Sequence, residues 1–311
     1  MKSDLPFSEF RQTFLKRNLQ LRARIIQAIR GFFIEQAFLE IETPCRIPAP
    51  APELHIDAPP SGQWFLHTSP ELCMKRLLAA GYGRIFQICR CFRQQERGNR
   101  HLPEFTLLEW YCQGFDYQDM MAQCEALICF VARQTVAKDS FVYQGRNIDL
   151  TPPWHRLTVL EAFDRYATVS MEAALRTNRF DEVIAFEIEP CLGMDKPLFL
   201  YDYPASCGAL ARLKDGNRFA ERFEMYISGL ELCNAFSELT DPKEQRQRFE
   251  KEAGERIASG KSAYPSPEKF LAALKFMPES SGNALGVDRL VMLLADCSRI
   301  DDVVAFTPEE L

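Results

Sequence analysis

Four basic side chains, Arg93, Arg97, Arg100 and His101, stand in one polar stretch between two apolar runs at 85–92 and 105–110. Each run has the length of a buried strand, so the pair reads as a hairpin whose connecting loop carries fixed positive charge and many N–H donors. The natural guest of such a loop is an anion with several oxygens, such as a triphosphate, which guanidinium groups grip in bidentate fashion. Taken alone, the loop is more simply read as a solvated basic hairpin tip. What favours the first reading is the company the loop keeps further along the chain.

A sheet and a core must hold that loop. With 311 residues, 47% of them hydrophobic, there is ample material for a core in one large domain or two modest ones. The formal charge of -6 argues against a broad electrostatic grip on nucleic acid. Eleven cysteines without a CxxC pair read as reduced core thiols of a cytosolic protein, Cys89 and Cys91 forming only a CxC on a strand. The charged start at Lys2 and Asp4 and the lack of a long apolar span predict neither signal peptide nor membrane anchor.

An amphipathic helix is predicted within 15–37, with Leu21, Ile25, Ile29, Phe32 and Phe33 on its buried stripe and Lys16, Arg17, Arg22, Arg24 and Arg30 on a solvated face. Alternating Leu39 and Ile41 against Glu40 and Glu42 predict a strand stopped at Pro44, and the prolines between 46 and 63 predict a loop. A short strand at 64–67 leads into Thr68-Ser69-Pro70-Glu71, a helix start with a hydroxyl near the N-cap and a carboxylate favoured by the helix dipole; this helix ends at Gly81. A second helix is predicted over 116–135. Residues 136–195 give a hairpin around Gln144-Gly145 and two or three helices, a helical insertion without visible chemistry. Short strands follow from Leu198, with turns at Lys214-Asp215-Gly216 and Ser228-Gly229, then a charged helix over 241–259. GERIASGKS at 254–262 imitates a phosphate-binding loop, but its glycine spacing is one residue too long and a helix precedes it, so it reads as a frayed helix end. The chain closes on a glycine turn at SGNALG, a helix from near Asp288 and a final strand VVAF at 303–306.

IETP at 41–44, FRQQE through EFTLLEWY at 92–111 and ALGVDR at 284–289 resemble, in order and separation, the three signature motifs of class II aminoacyl-tRNA synthetases. TSPELCMKRLL, RHLPEFTLLEWY, LELCNAFSELTD and NALGVDRLVML are most similar to the lysyl branch. The resemblance covers nearly the whole chain and is weakest at 114–195. It implies an α+β fold, an antiparallel sheet flanked by helices, in a single catalytic domain over 1–311, and a homodimer formed through the first motif.

The resemblance also implies activation of a carboxylate with ATP. Arg93 would hold the α-phosphate and Arg289 the γ-phosphate, the cations that the charge-gathering transition state requires. Gln95, Glu96, His101, Leu102, Glu231, Leu232 and Gly286 would complete the nucleotide site, with Glu224 and Glu231 holding Mg²⁺. The attacking carboxylate is already ionised, so this step needs no general base. Ser69, Pro70, Glu71, Glu109, Tyr111, Asn234, Glu238 and Ala284 would form the amino-acid pocket. A lysine-like substrate carries two ammonium groups and one carboxylate, so its site needs an excess of acid. Glutamates buried there without cationic partners would be costly.

Only about 36 residues precede the first motif, so the anticodon-binding OB domain of a lysyl-tRNA synthetase is not expected. Ala284 stands where lysyl synthetases have glycine, and one methyl on a pocket wall shifts preference by ~1–3 kcal/mol. Both traits resemble the free-standing synthetase paralogues that modify elongation factor P. That implies a cytoplasmic enzyme that adenylates (R)-β-lysine, or lysine, and transfers it to a lysine ε-amino group of the factor, with no membrane and no stable tRNA binding. Gln95 replaces the adenine-reading glutamate of FRxE, Leu102 an asparagine and Ala235 a glycine, departures that bear on ATP affinity. Two other readings stay open: charging of a tRNA or tRNA-like acceptor, and a non-catalytic regulatory paralogue. The presence of Arg93, Arg289, Glu224 and Glu231 weighs against the second.

Overall fold

The computed structural model describes residues 10–214 and 216–311; Lys2, Asp4 and the turn residue Asp215 lie outside the described residues. The N-terminal stripe forms α1 (Arg11–Glu35), burying Leu21, Ile25, Ile29, Phe32 and Phe33. Its polar face is not wholly solvated as expected. Arg22 reaches beneath the sheet to pair with Asp288 and to donate to Thr106 Oγ1 at 2.7 Å. The strand expected at 39–42 is β1 (Leu39–Glu40). The proline-rich stretch is not bare loop: β2 (Arg46–Ile47) and β3 (Pro60–Ser61) flank β4 (Trp64–Leu66) in a small sheet of their own. Pro60, with no N–H to give, sits on an outer strand of it.

Next come α2 (Glu71–Ala79), the strands β5 (Arg84–Phe92) and β6 (Glu104–Gln113), and α3 (Tyr117–Thr135), started by a reciprocal capping box between Asp116 and Asp119. The hairpin of β7 (Ser140–Tyr143) and β8 (Arg146–Asp149) turns at Gln144 and Gly145, with φ of 49° and 78°. Two positive values at a two-residue turn match the twist of the strands it joins. β9 (His155–Thr158) is followed by α4 (Val159–Tyr166), α5 (Met171–Arg176) and α6 (Phe180–Val183), which runs on into a π-turn at 184–188 and a 3₁₀ turn at 189–191. The chain then lays down β10 (Leu198–Pro204), β11 (Phe219–Ile227) and β12 (Leu230–Ser237). α7 (Pro242–Ala258) and α8 (Glu268–Leu274) precede β13 (Ser280–Gly286) and α9 (Val287–Leu294).

Eight strands make one sheet in the order β1-β5-β6-β13-β12-β11-β10-β9, antiparallel except for the pairs at its two edges. This is the expected α+β arrangement. Period two assigns its faces. Phe86, Leu108, Trp110 and Cys112 pack with α1, α3 and α9, whereas Ile85 and Tyr111 face α2, α7 and α8. Two expectations at the C-terminal end fail. SGNALG is no turn but strand β13, paired on both sides, Gly282 opposite Tyr111 and Phe236. VVAF is no strand: Ile300–Val303 is a 3₁₀ turn. The carbonyls of Val304 and Ala305 are taken by Arg11 Nη2 at 3.2 Å and Gln12 Nε2 at 3.0 Å, so side chains of α1 satisfy them where a sheet partner would otherwise be needed. No described helix is long and apolar enough to cross a membrane.

The imitation phosphate loop is accounted for as well. Lys261 Nζ donates to Asp57 Oδ2 at 2.8 Å, and the buried Arg256 serves the Glu53 and Ile56 carbonyls and Asp57. The end of α7 is a clamp on residues 53–57, not an anion site.

Candidate active site

A cavity of about 370 Å³ opens on the sheet face away from α1 and α3, between β6, β13, β12 and β11. Its two ends differ in charge. At one end Arg93 leaves β5 with its guanidinium 5.1 Å over the Phe105 ring and 3.6 Å from Glu96; its buried Nε has no partner among the described residues. Arg289, in the first turn of α9, gives Nη1 to the Glu231 carbonyl at 2.8 Å and Nη2 to His101 Nε2 at 2.7 Å. His101 therefore accepts through Nε2, and burial together with Arg289 holds its pKa below the usual value. Asp288 fixes this corner, since its carboxylate takes Arg22 on one oxygen and the Thr106 N–H on the other at 2.7 Å. Arg100 lines the cavity and donates to the Gly229 carbonyl at 3.1 Å. Arg97 does not join them: its charge is spent on Glu309 and Asp301.

The other end is acidic. Glu109, only 1% exposed, accepts from Ser69 Oγ at 2.5 Å and Tyr111 OH at 3.0 Å, and burial next to Glu71 raises its carboxyl well above the usual range. Glu71 and Glu238 are not unpaired, because Lys75 Nζ lies 2.5 Å from each. Burial alone would lower the Lys75 pKa, but Glu238 and Glu71 raise it and keep it an ammonium. With two carboxylates sharing one cation, burial pushes Glu238 up to about 8, Lys75 opposing and Glu71 adding to the shift. Glu53 enters from the proline-rich stretch; burial and Glu71 push its carboxyl up to about 7 against the pull of Arg93. Even with Lys75 counted, acid is in excess at this end.

Between the two ends stand Glu224 on β11 and Glu231 on β12. Glu224 accepts from Arg222 at 2.7 Å and from Tyr203 and Tyr226 at 2.5 and 2.6 Å. Glu189, in the 3₁₀ turn, lies 3.2 Å from the Tyr226 hydroxyl oxygen, and burial together with the charges of Glu231 and Glu224 pushes its carboxyl up to about 7. Arg222 also donates to Asn234 Oδ1 at 3.0 Å, placing a cation beside that amide.

Of the residues singled out from the sequence, Ser69, Glu71, Arg93, Glu96, His101, Leu102, Glu109, Tyr111, Glu224, Glu231, Leu232, Asn234, Glu238, Ala284, Gly286 and Arg289 all line this one cavity. Pro70 and Gln95 do not. Pro70 caps α2; Gln95 is exposed in a turn with φ of 67°, and it is the next residue, Glu96, that the turn presents to the cavity. Leu102 reaches both cavity and core, while Ala235 belongs to the helix-side core, so that departure is a packing matter. Sequence reasoning missed Glu53, Lys75, Glu189 and Arg222. Only Lys75 carried a local signal, the i,i+4 spacing from Glu71; the others are assembled by the sheet register and by irregular turns.

Comparison with known proteins follows the same lines. A family model described as tRNA synthetases class II (D, K and N) matches residues 2–310. The elongation factor P--(R)-beta-lysine ligase of Pectobacterium atrosepticum is 41% identical over 316 residues, covering 94% of this chain and 95% of that protein. The ligase of the same name from Salmonella arizonae is 42% identical over 308 residues, covering 93% and 94%. A lysine--tRNA ligase of Moorella thermoacetica is 39% identical over 324 residues, covering 96% of this chain and 65% of that protein.

Proposed function

The chain belongs to the class II tRNA synthetases of the D, K and N group, and on that footing we propose that it is an ATP-dependent ligase for (R)-β-lysine and elongation factor P. The amino acid is first adenylated, then passed to the ε-amino group of a lysine on the factor. The observation that carries the adenylation step is the polarity of one cavity, with guanidinium groups at one end and an excess of carboxylate at the other. The acceptor follows from the ligases that the chain resembles over nearly its full length.

In this reading the substrate ammonium groups face Glu71, Glu109 and Glu238, and its carboxylate lies by Asn234 and Arg222. Arg93, whose buried Nε has no partner among the described residues, meets the α-phosphate, and Arg289 the γ-phosphate, where it exchanges Glu231 for an ATP oxygen. Glu96 rather than Gln95 reads the adenine amino group. Glu224 and Glu231, with Glu189 beside them, are hard oxygen donors whose crowded negative charge suits Mg²⁺. When bound, that ion neutralises phosphate charge. The first step needs no base. In the second, an acceptor amine of pKa ~10.4 must lose a proton. Glu53, close enough to both Arg93 and Glu71 to feel their charge and with its carboxyl at about 7, is matched to take it.

The test is ATP–pyrophosphate exchange with (R)-β-lysine and with α-lysine, followed by transfer to purified elongation factor P read as a mass shift. Exchange is expected to be strongest with β-lysine, with no charging of tRNA; no exchange with either amino acid would sink the reading. Ala284 sits opposite Glu109 and Asn234 and its methyl occupies the cavity wall. Ala284→Gly is expected to move preference toward α-lysine by ~1–3 kcal/mol in relative kcat/KM, measured by the same exchange. Glu53 accepts a proton only when ionised, so transfer should rise with pH through about 7. Glu53→Gln should slow transfer ~10²-fold at neutral pH and replace the levelling above about 7 by a rise that continues toward the pKa of the amine itself, ~10.4, while exchange persists; equal loss of both steps would place Glu53 in binding instead. Finally, Phe14 and Ile34 of α1 and Leu39 of the edge strand β1 are exposed apolar side chains, and the homodimer expected from the family is checked by sedimentation at the mass of two chains.

A further inference from the structure

We propose that His67, Cys89 and Cys91 form a binding site for a thiophilic d¹⁰ cation, Zn²⁺ above all, on the pocket-facing side of the sheet and outside the ATP and amino-acid cavity. The donor atoms of the three side chains lie within 4.8 Å of one another. Period two along β5 sends both sulfurs to one face, where they stand 3.9 Å apart. Two thiolates on a tetrahedral zinc with Zn–S bonds of ~2.3 Å would stand ~3.8 Å apart.

The histidine is already set for the task. β1 covers the outer edge of β5 only at Ile85 and Phe86, and further along His67 lies against that edge, its carbonyl accepting from Phe92 N at 3.0 Å. His67 Nε2 is 2.6 Å from the Arg90 carbonyl. A carbonyl can only accept, so Nε2 carries the proton and Nδ1 carries the lone pair. Nδ1 is buried without a partner among the described residues, in a residue 1% exposed. A metal-ligating imidazole commonly gives its other N–H to such a carbonyl, which fixes its tautomer and orientation. Two thiolates and a neutral imidazole select a soft cation over Mg²⁺ or Ca²⁺. Binding displaces the two thiol protons to solvent, and a fourth position is left to water, since Cys89 is half-buried.

The site has a place in the proposed chemistry, on which its role though not its existence rests. His67 is followed by Thr68 and Ser69, and Ser69 holds Glu109. Cys89 pairs with Leu107 and Cys91 with Phe105, both lining the cavity. A bound cation would tie the Ser69 segment to β5 and brace the acidic wall.

The reduced, full-length protein, freed of metal, is titrated with Co²⁺ and then Zn²⁺. One Co²⁺ per chain is expected, with a thiolate-to-cobalt charge-transfer band that Zn²⁺ abolishes, and a melting temperature raised by Zn²⁺. Cys89→Ser and His67→Gln should each weaken binding more than tenfold, while Cys73→Ser binds as the parent does. Melting of the apo variants shows that they fold; if Cys89→Ser does not, His67→Gln carries the comparison. No charge-transfer band in the reduced protein, or undiminished binding in the two variants, overturns the proposal. Exchange activity is a separate readout, so failure here leaves the ligase reading standing.

Discussion

Gly282→Ala is expected to lower kcat/KM for amino-acid activation at least ~10²-fold while ATP still binds. Gly282 lies in β13 between Tyr111 of β6 and Phe236 of β12. A Cβ added there would stand 2.3 Å from Tyr111 Cε1 and 2.5 Å from Glu238 Oε1, so both must move. Neither is the loose end of a flexible chain. Tyr111 is 3% exposed and tied to Glu109, and Glu238 is held by Lys75. Overpacking a site of this kind costs ~1–3 kcal/mol, and a hundredfold loss corresponds to ~2.7 kcal/mol of transition-state binding. The strain falls on the acidic end of the cavity, so KM for the amino acid should rise far more than KM for ATP. Exchange kinetics with each substrate varied, alongside thermal melting, check this. Unchanged amino-acid KM would mean that Tyr111 and Glu238 do not touch the substrate.

The same glycine shows how far the sequence could be read. Its motif was legible and its place was not: SGNALG has the composition of a turn, yet both neighbours of β13 demand a strand. A strand with β6 on one flank and β12 on the other is decided by pairing partners more than a hundred and some forty residues distant, which no local window contains. The long helices announced themselves through their apolar stripes, and the hairpin at Gln144-Gly145 through its turn residues, because those signals are local. The lining of the cavity was legible where a motif carried the residues, as with Arg93, Glu109, Glu231 and Arg289. It was silent where irregular backbone delivers them. Glu53 arrives from a stretch dismissed as loop, and Glu189 from a 3₁₀ turn in the stretch expected to hold no chemistry. Arg22 was assigned to solvent because helical periodicity reports which face is polar, not what a long polar side chain can reach. Gln95 erred the other way. Motif position pointed it at the adenine, but a left-handed turn leaves it exposed and presents Glu96 to the cavity.

Arg289→Ala is expected to reduce ATP–pyrophosphate exchange by ~10³-fold, the scale seen when a cation that stabilises a phosphoryl transition state is removed. The guanidinium is aimed before any nucleotide arrives. Its fork serves the Glu231 carbonyl, Glu231 Oε2 at 3.2 Å and His101 Nε2, so little reorganisation remains when phosphate oxygens replace the carboxylate. Arg289→Lys should recover little, because a single ammonium cannot satisfy that planar set of acceptors. Folding should be nearly unaffected. The start of α9 is fastened through Asp288, which keeps its bonds to Arg22 and the Thr106 N–H in the variant, and Arg289 is only half-buried. Loss of a partly exposed ion pair costs ~0–1 kcal/mol, within what a melting curve tolerates. The loss should appear in kcat more than in amino-acid KM, because the interaction tightens as charge gathers on the transferred phosphate. Retention of exchange within threefold would remove Arg289 from the phosphate site. An inactive parent protein, with Arg93 and Arg289 both in place, would instead favour a binding paralogue that has kept the cavity and lost the chemistry.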